Sequence, residues 1–196
     1  MLWYTLELEG MDFDILHDLL DPIQDRIAPE YVTAYPGLSQ FLHFLGRKGI
    51  DLAVFTSGTP HHVVRNFGLA LPELGLTHLF TDTRHSSLEK MNQFEKKVET
   101  LFNIPSMIFV TCDDVTANKP DPESLLQALD RLNVAKDEAL VLGDHWVDMQ
   151  AGVNAGIPLR VGIAHGFDSE SELRKHGATS VVHNYNELIS QIQTYE

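Results

Sequence analysis

The stretch GDHWVD, residues 143–148, is the most informative part of the chain for chemistry. Gly143 lets the backbone turn sharply after the apolar run ALVL. Asp144 and Asp148 are four residues apart. A helix that starts within the turn therefore points both toward one side. Two carboxylates beyond a strand end suit a magnesium site, because Mg²⁺ takes carboxylate and water oxygens. The structural alternative is that Asp144 caps the next helix and Asp148 faces solvent.

Two other stretches carry complementary groups. Lys119 sits in ANKPDPE, residues 117–123, where Pro120 and Pro122 stiffen the chain and open a helix. A lysine fixed there can neutralise a phosphate or a carboxylate, or it can be an ordinary surface lysine. Thr56, Ser57 and Gly58 lie in FTSGTP, between an apolar run and a helical pattern. A hydroxyl and free backbone N–H groups at such a point bind a phosphoryl oxygen, or Thr56 serves only as a helix cap.

These residues need a frame that brings them to one edge. From Pro29 onward, helical patterns alternate with short apolar runs, which predicts an α/β domain with a mostly parallel sheet. LSQFLHFLGR (38–47) places Leu38, Phe41, Leu42 and Leu45 on one face, and Gly49 stops that helix. Further helices are expected over 60–70, 88–102, 121–132, 147–155 and 186–193. In the second of these, Met91, Phe94, Val98 and Leu101–Phe102 share a face. Strands are expected at LAVF (52–55), MIFV (107–110), ALVLG (139–143), 158–163 and 180–182. Ligands of open parallel sheets bind beyond the carboxyl ends of the strands. Thr56 and Asp144 both fall there.

Three stretches in this order, PGLSQFLHFLGRKGIDLAVFTSG, KPDPESLLQALDRLNV and ALVLGDHWVDMQAGVNAGI, resemble the haloacid dehalogenase-like hydrolases. The subgroup they resemble includes phosphoglycolate phosphatases. The resemblance runs from about Tyr35 to the C-terminus and includes VGIAHGFDSESELRKHGATSVV. It implies a three-layer Rossmann-like domain that hydrolyses a small phosphorylated metabolite with Mg²⁺. Thr56 then matches the hydroxyl that bonds the transferring phosphoryl group, with Ser57 and Gly58 beside it. Lys119 matches the lysine that steadies nucleophile and phosphate. Asp144 matches a metal-holding acid, supported by Asp148. His145 stands where the family often has a small polar residue.

The family also implies a nucleophilic aspartate in a DxD motif at the end of a first strand, and a second aspartate as acid and base. The DxD present is Asp12-Phe13-Asp14, preceded by LELEGM, which alternates with glutamates. Two readings stand: a degenerate nucleophile motif, or polar positions on an amphipathic helix over 11–27. The second is favoured because Met11, Ile15, Leu19, Ile23 and Ile27 recur every four residues. Pro22 would break or kink that helix. Residues 1–34 then form a remnant of a helical cap and 35–196 the core, with an insertion around 71–106. This reading expects the chain to be N-terminally shortened and its sheet to lack a central strand. The remaining alternative is a catalytically inactive binding or regulatory protein on the same fold.

Bulk properties narrow the function classes. A net charge of -14 argues against nucleic acid as the main partner. No apolar run approaches the roughly 18–20 residues that span a membrane. The single cysteine, Cys112, excludes an internal disulfide and fits a cytoplasmic setting. Asp113 and Asp114 beside it raise its thiol pKa, against a reactive role. His61 and His62 are adjacent rather than three or four apart, against a zinc site.

Overall fold

A computed structural model describes residues 13–75 and 88–194. The chain divides into two compact units, residues 1–33 and 34–196.

In the first unit, helix α1 spans Phe13–Tyr31 and contains Pro22 and Pro29. The helix is unbroken at Pro22, where a break or a kink is expected, and it runs four residues past the expected end. Asp14 lies within α1. Met11 and Asp12 lie outside the described residues.

The second unit alternates helices and strands as its sequence pattern predicts. In order these are α2 (Leu38–Lys48), β1 (Leu52–Phe55), α3 (Pro60–Ala70), α4 (Leu88–Phe102), β2 (Met107–Val110) and α5 (Glu123–Leu132). There follow β3 (Leu140–Gly143), α6 (Trp146–Ala155), β4 (Leu159–Ile163), α7 (Glu170–Lys175), β5 (Ser180–Val182) and α8 (Tyr185–Thr194). The insertion expected around 71–106 includes α4 and a short 3-10 turn at Pro72–Leu74. Residues 76–87 within it lie outside the described part.

The strands pair in two parallel groups, β1 with β2 and β3–β4–β5. Among the described residues no ladder joins β1 to β3. The two groups nevertheless share one core, and side-chain alternation shows it. Leu52, Val54, Met107, Phe109, Leu140, Leu142, Val161, Ile163 and Val182 all turn to one cluster with α2, α3, α4 and α8. Phe55 and Val141 turn the other way, onto α5, α6 and α7. Ala53, Ile108 and Val110 face that side too, against Ala128 and Leu132 of α5. The result is three layers, helices on both faces of parallel strands. This is the expected Rossmann-like α/β class.

Local sequence explains the layers. Phe41, Leu42, Phe44 and Leu45 of α2 are buried, and Gly49 closes the helix in the left-handed region at φ 66°. A Cβ on Gly46 would overlap the Phe102 carbonyl, so this glycine lets α2 approach α4. In α4, Met91, Phe94, Val98 and Phe102 are buried while Leu101 is exposed. Leu101 thus leaves the face expected to hold it, because one residue is 100° of helical turn.

Candidate active site

The C-terminal ends of β1 and β3 meet through Lys119. Its Nζ lies 2.7 Å from Asp148 Oδ1 and 4.8 Å over the ring of Phe55, the last residue of β1. Both partners of the ion pair are largely buried, the side chains being 14% and 8% exposed. Lys119 is therefore a fixed charge, held by a carboxylate on α6 and an aromatic face on β1.

The loop that carries Lys119 is tied at several points. Glu123 accepts from the Thr116 amide at 2.8 Å, the Thr116 hydroxyl at 2.9 Å and the Ala117 amide at 3.0 Å. These donors, Ala117 first, hold the Glu123 carboxyl below the usual range. The Asn154 side chain of α6 donates to the Pro120 carbonyl at 2.9 Å. Neither Glu123 nor Asn154 was singled out from the sequence. Glu123, in KPDPE, follows Thr116 by seven residues, a spacing that carries no recognisable signal.

Thr56 follows β1 and keeps its strand bond, its amide donating to the Val110 carbonyl at 2.9 Å. Its hydroxyl oxygen accepts from the Gly58 amide at 3.0 Å, so the hydroxyl proton stays available to donate. The Gly58 carbonyl accepts from the Cys112 amide at 3.2 Å, which joins this turn to the end of β2. The cap of α3 is Thr59, whose side chain accepts from the His62 amide. Thr56 is therefore not the helix cap, and Ser57 is exposed. Cys112 is a poor nucleophile, because burial and then Asp113 push its thiol up to about 11.

Asp144 and Asp148 play different parts. A Cβ on Gly143 would overlap the Asp148 side chain, so the glycine makes room for that carboxylate. Asp148 Oδ2 accepts from the His145 amide at 3.3 Å, and Oδ1 takes Lys119. Both oxygens of Asp148 are thus engaged inside the protein. Asp144 instead faces the loop over residues 165–168, where a Cβ on Gly166 would overlap its carboxylate. Its backbone carbonyl accepts from the Asp168 amide at 3.0 Å. Asp168 in turn accepts from the Trp146 amide at 2.6 Å. Asp168 and Gly166 are partners of the site that no local pattern marks, being over 20 residues from Asp144.

His145 caps α6 with its side chain. Its Nδ1 accepts from the Val147 amide at 3.3 Å and lies 3.4 Å from Asp168 Oδ2. One nitrogen cannot accept and donate at once, so the cap requires the Nε2–H tautomer. Behind this loop, His165 stacks on Tyr35 with ring centroids 3.6 Å apart. Among the described residues neither buried His165 ring nitrogen has a hydrogen-bond partner. Burial holds the ring below the usual imidazole range, opposed by the charge of Asp144.

Among the described residues no group of three or more His, Cys, Asp or Glu side chains is arranged to hold a metal. With Asp148 occupied by Lys119 and a backbone amide, Asp144 is the site carboxylate left to meet a cation. Mg²⁺ is often held by one or two carboxylates, the rest of its shell being water and substrate phosphate. The donor set fits that mode in part.

A family model for haloacid dehalogenase-like hydrolases matches residues 4–156. The chain belongs to this family. Among curated haloacid dehalogenase-like relatives, a phosphorylated carbohydrates phosphatase of Thermotoga maritima is 29% identical over 157 residues, which is 80% of this chain and 59% of that protein. A pyrophosphatase PpaX of Bacillus velezensis is 33% identical over 132 residues, 67% of this chain and 45% of that protein. The chain thus spans about half the length of the curated relatives it matches. A solved hydrolase from Pseudomonas syringae superposes with TM-score 0.66 at 23% identity, covering 91% of this chain and 67% of that one. A family hydrolase from Deinococcus radiodurans, solved with bound phosphate and sodium, gives 0.62 at 18% identity over 96% and 78%. These two likenesses bear on the fold alone.

Proposed function

We propose that the chain is a magnesium-dependent hydrolase of a small phosphate ester. The observation that carries this reading is the half-buried Lys119, pinned by Asp148 and Phe55 at the strand end shared with Thr56. Phosphoryl transfer depends mostly on positioning and charge neutralisation. Lys119 offsets one phosphate charge, and the Thr56 hydroxyl donates to a phosphoryl oxygen. The amides of the TSG turn add further donors. Asp144 would hold Mg²⁺, which when bound polarises phosphoryl oxygens and neutralises developing charge. Asp148 acts by orienting Lys119 rather than by meeting the metal. The phosphatase names of the curated relatives support the reaction class, and phosphoglycolate is one substrate of that class. The single, weakly acidic thiol fits a cytoplasmic setting. No helix among the described residues is long and apolar enough to cross a membrane.

A second reading is a ligand-binding member of the family without turnover. One observation favours it: Asp14 lies within helix α1. Hydrolysis of p-nitrophenyl phosphate separates the two readings. The first predicts turnover with Mg²⁺, its loss on chelation, and a fall of about a hundredfold or more in Asp144→Asn. Absence of turnover with intact phosphate binding supports the second. Turnover that survives changing both Asp12 and Asp14 removes the DFD motif as the nucleophile.

A further inference from the structure

We propose that His145 and Phe167 form an aromatic wall beside Asp144 that receives the substrate's leaving group through a ring face. The inference rests on the phosphatase reading and names the class of ester that the site takes. The two ring centroids are 4.7 Å apart with planes 40° from parallel. That is within the range of favourable aromatic pairs. Phe167 is 48% exposed, yet it is not on a loose loop. On one side of it Gly166 presses on the Asp144 carboxylate. On the other, Asp168 is bonded to the Asp144 carbonyl and to the Trp146 amide. The loop thus holds an exposed aromatic ring against the turn that carries Asp144. His145 is held just as firmly by its cap on α6.

An exposed phenyl ring kept in place by polar contacts of its neighbours is available for contact with a ligand. A phosphoryl group placed between Lys119 and Asp144 has the His145–Phe167 pair alongside Asp144. A leaving group with an apolar ring face covers such a wall, whereas a two-carbon acid is too small to do so. The wall therefore selects ring-bearing phosphate esters over short acyclic ones. Aryl groups and the C–H face of a cyclic alcohol share this chemistry.

Calorimetric titration of the full chain in Mg²⁺ with phenylphosphonate, cyclohexylphosphonate and methylphosphonate tests the wall, with inorganic phosphate as reference. At least one ring-bearing ligand is expected to bind about 3–10-fold tighter than methylphosphonate. Comparison of phenyl with cyclohexyl tells which ring face is preferred. Phe167→Ala is expected to bring the ring ligands to within about twofold of methylphosphonate, with methylphosphonate itself unchanged, and Phe167→Tyr to keep the preference. Equal affinity of all three phosphonates, or a ring preference that survives Phe167→Ala, overturns the wall while phosphate binding leaves the phosphatase reading standing. Failure of phosphate and every phosphonate to bind overturns both.

Discussion

Lys119 is half-buried beside one buried carboxylate, and that pairing sets what its removal does. Lys119→Met leaves the Asp148 charge, 8% exposed, without its ion-pair partner. Breaking one side of a buried pair costs about 3 kcal/mol. Chemical denaturation should show a loss of that size whether or not the chain is an enzyme. His165 gives a second test at this scale. Its two nitrogens are buried without partners among the described residues, and its pKa is depressed. The unfolded chain takes up that proton first as pH falls, so stability is full above about pH 6.5 and declines through the lower folded value. His165→Phe keeps the stack on Tyr35 and removes the orphaned groups. It should flatten the pH dependence of Tm in that window and leave stability at neutral pH equal or up to about 1 kcal/mol higher. A slope unchanged in the variant would assign the pH dependence elsewhere. The chemical residue types were legible in the sequence because Thr56, Lys119, Asp144 and Asp148 sit in compact motifs. Their division of labour was not. Only the fold reveals that Asp148 serves Lys119, and that Asp168, far away in sequence, fastens the Asp144 turn.

At the scale of elements, β2 pairs with β1 alone among the described residues, and its outer side is closed by side chains. Glu99 accepts from the Met107 amide at 2.8 Å and Glu95 from the Phe109 amide at 2.9 Å. Arg131 donates to the Phe109 carbonyl at 2.7 Å. Such blocking prevents pairing with another chain. Burial pushes the Glu95 carboxyl up, against the pull of the Phe109 amide and Arg131. Glu99→Ala orphans the amide of Met107, a fully buried residue. It should cost about 1–3 kcal/mol in denaturant titration and increase light scattering on heating. Strand positions were legible because LAVF, MIFV and LVLG are short apolar runs between helical patterns. The edge blocking was not legible, because Glu95 and Glu99 read as ordinary polar positions of an amphipathic helix. Period alone also misplaced Leu101, which shares a sequence run with Phe102 but not its face. The expected gap at the centre of the sheet turns on residues 1–12, which lie outside the described residues. That expectation came from family resemblance, since neither strand's composition reports its neighbours.

The whole molecule carries a net charge of -14 and places a fixed lysine where a phosphate would arrive. The net charge implies self-repulsion that salt screens. Tm should therefore rise between about 0.02 and 0.3 M NaCl, where the Debye length shortens from about 20 to 6 Å. A Tm that falls with salt would mean that local ion pairs outweigh the repulsion. The central claim is that Thr56, Lys119 and Asp144, from three segments, form one phosphate site. Calorimetric titration of inorganic phosphate in Mg²⁺ into the wild type, Thr56→Val and Lys119→Met tests it without requiring turnover. The account predicts a single site in the wild type, weakened about tenfold or more in each variant, since each removes a hydrogen bond or charge on the anion. Phosphate bound with the same affinity by all three proteins would contradict it.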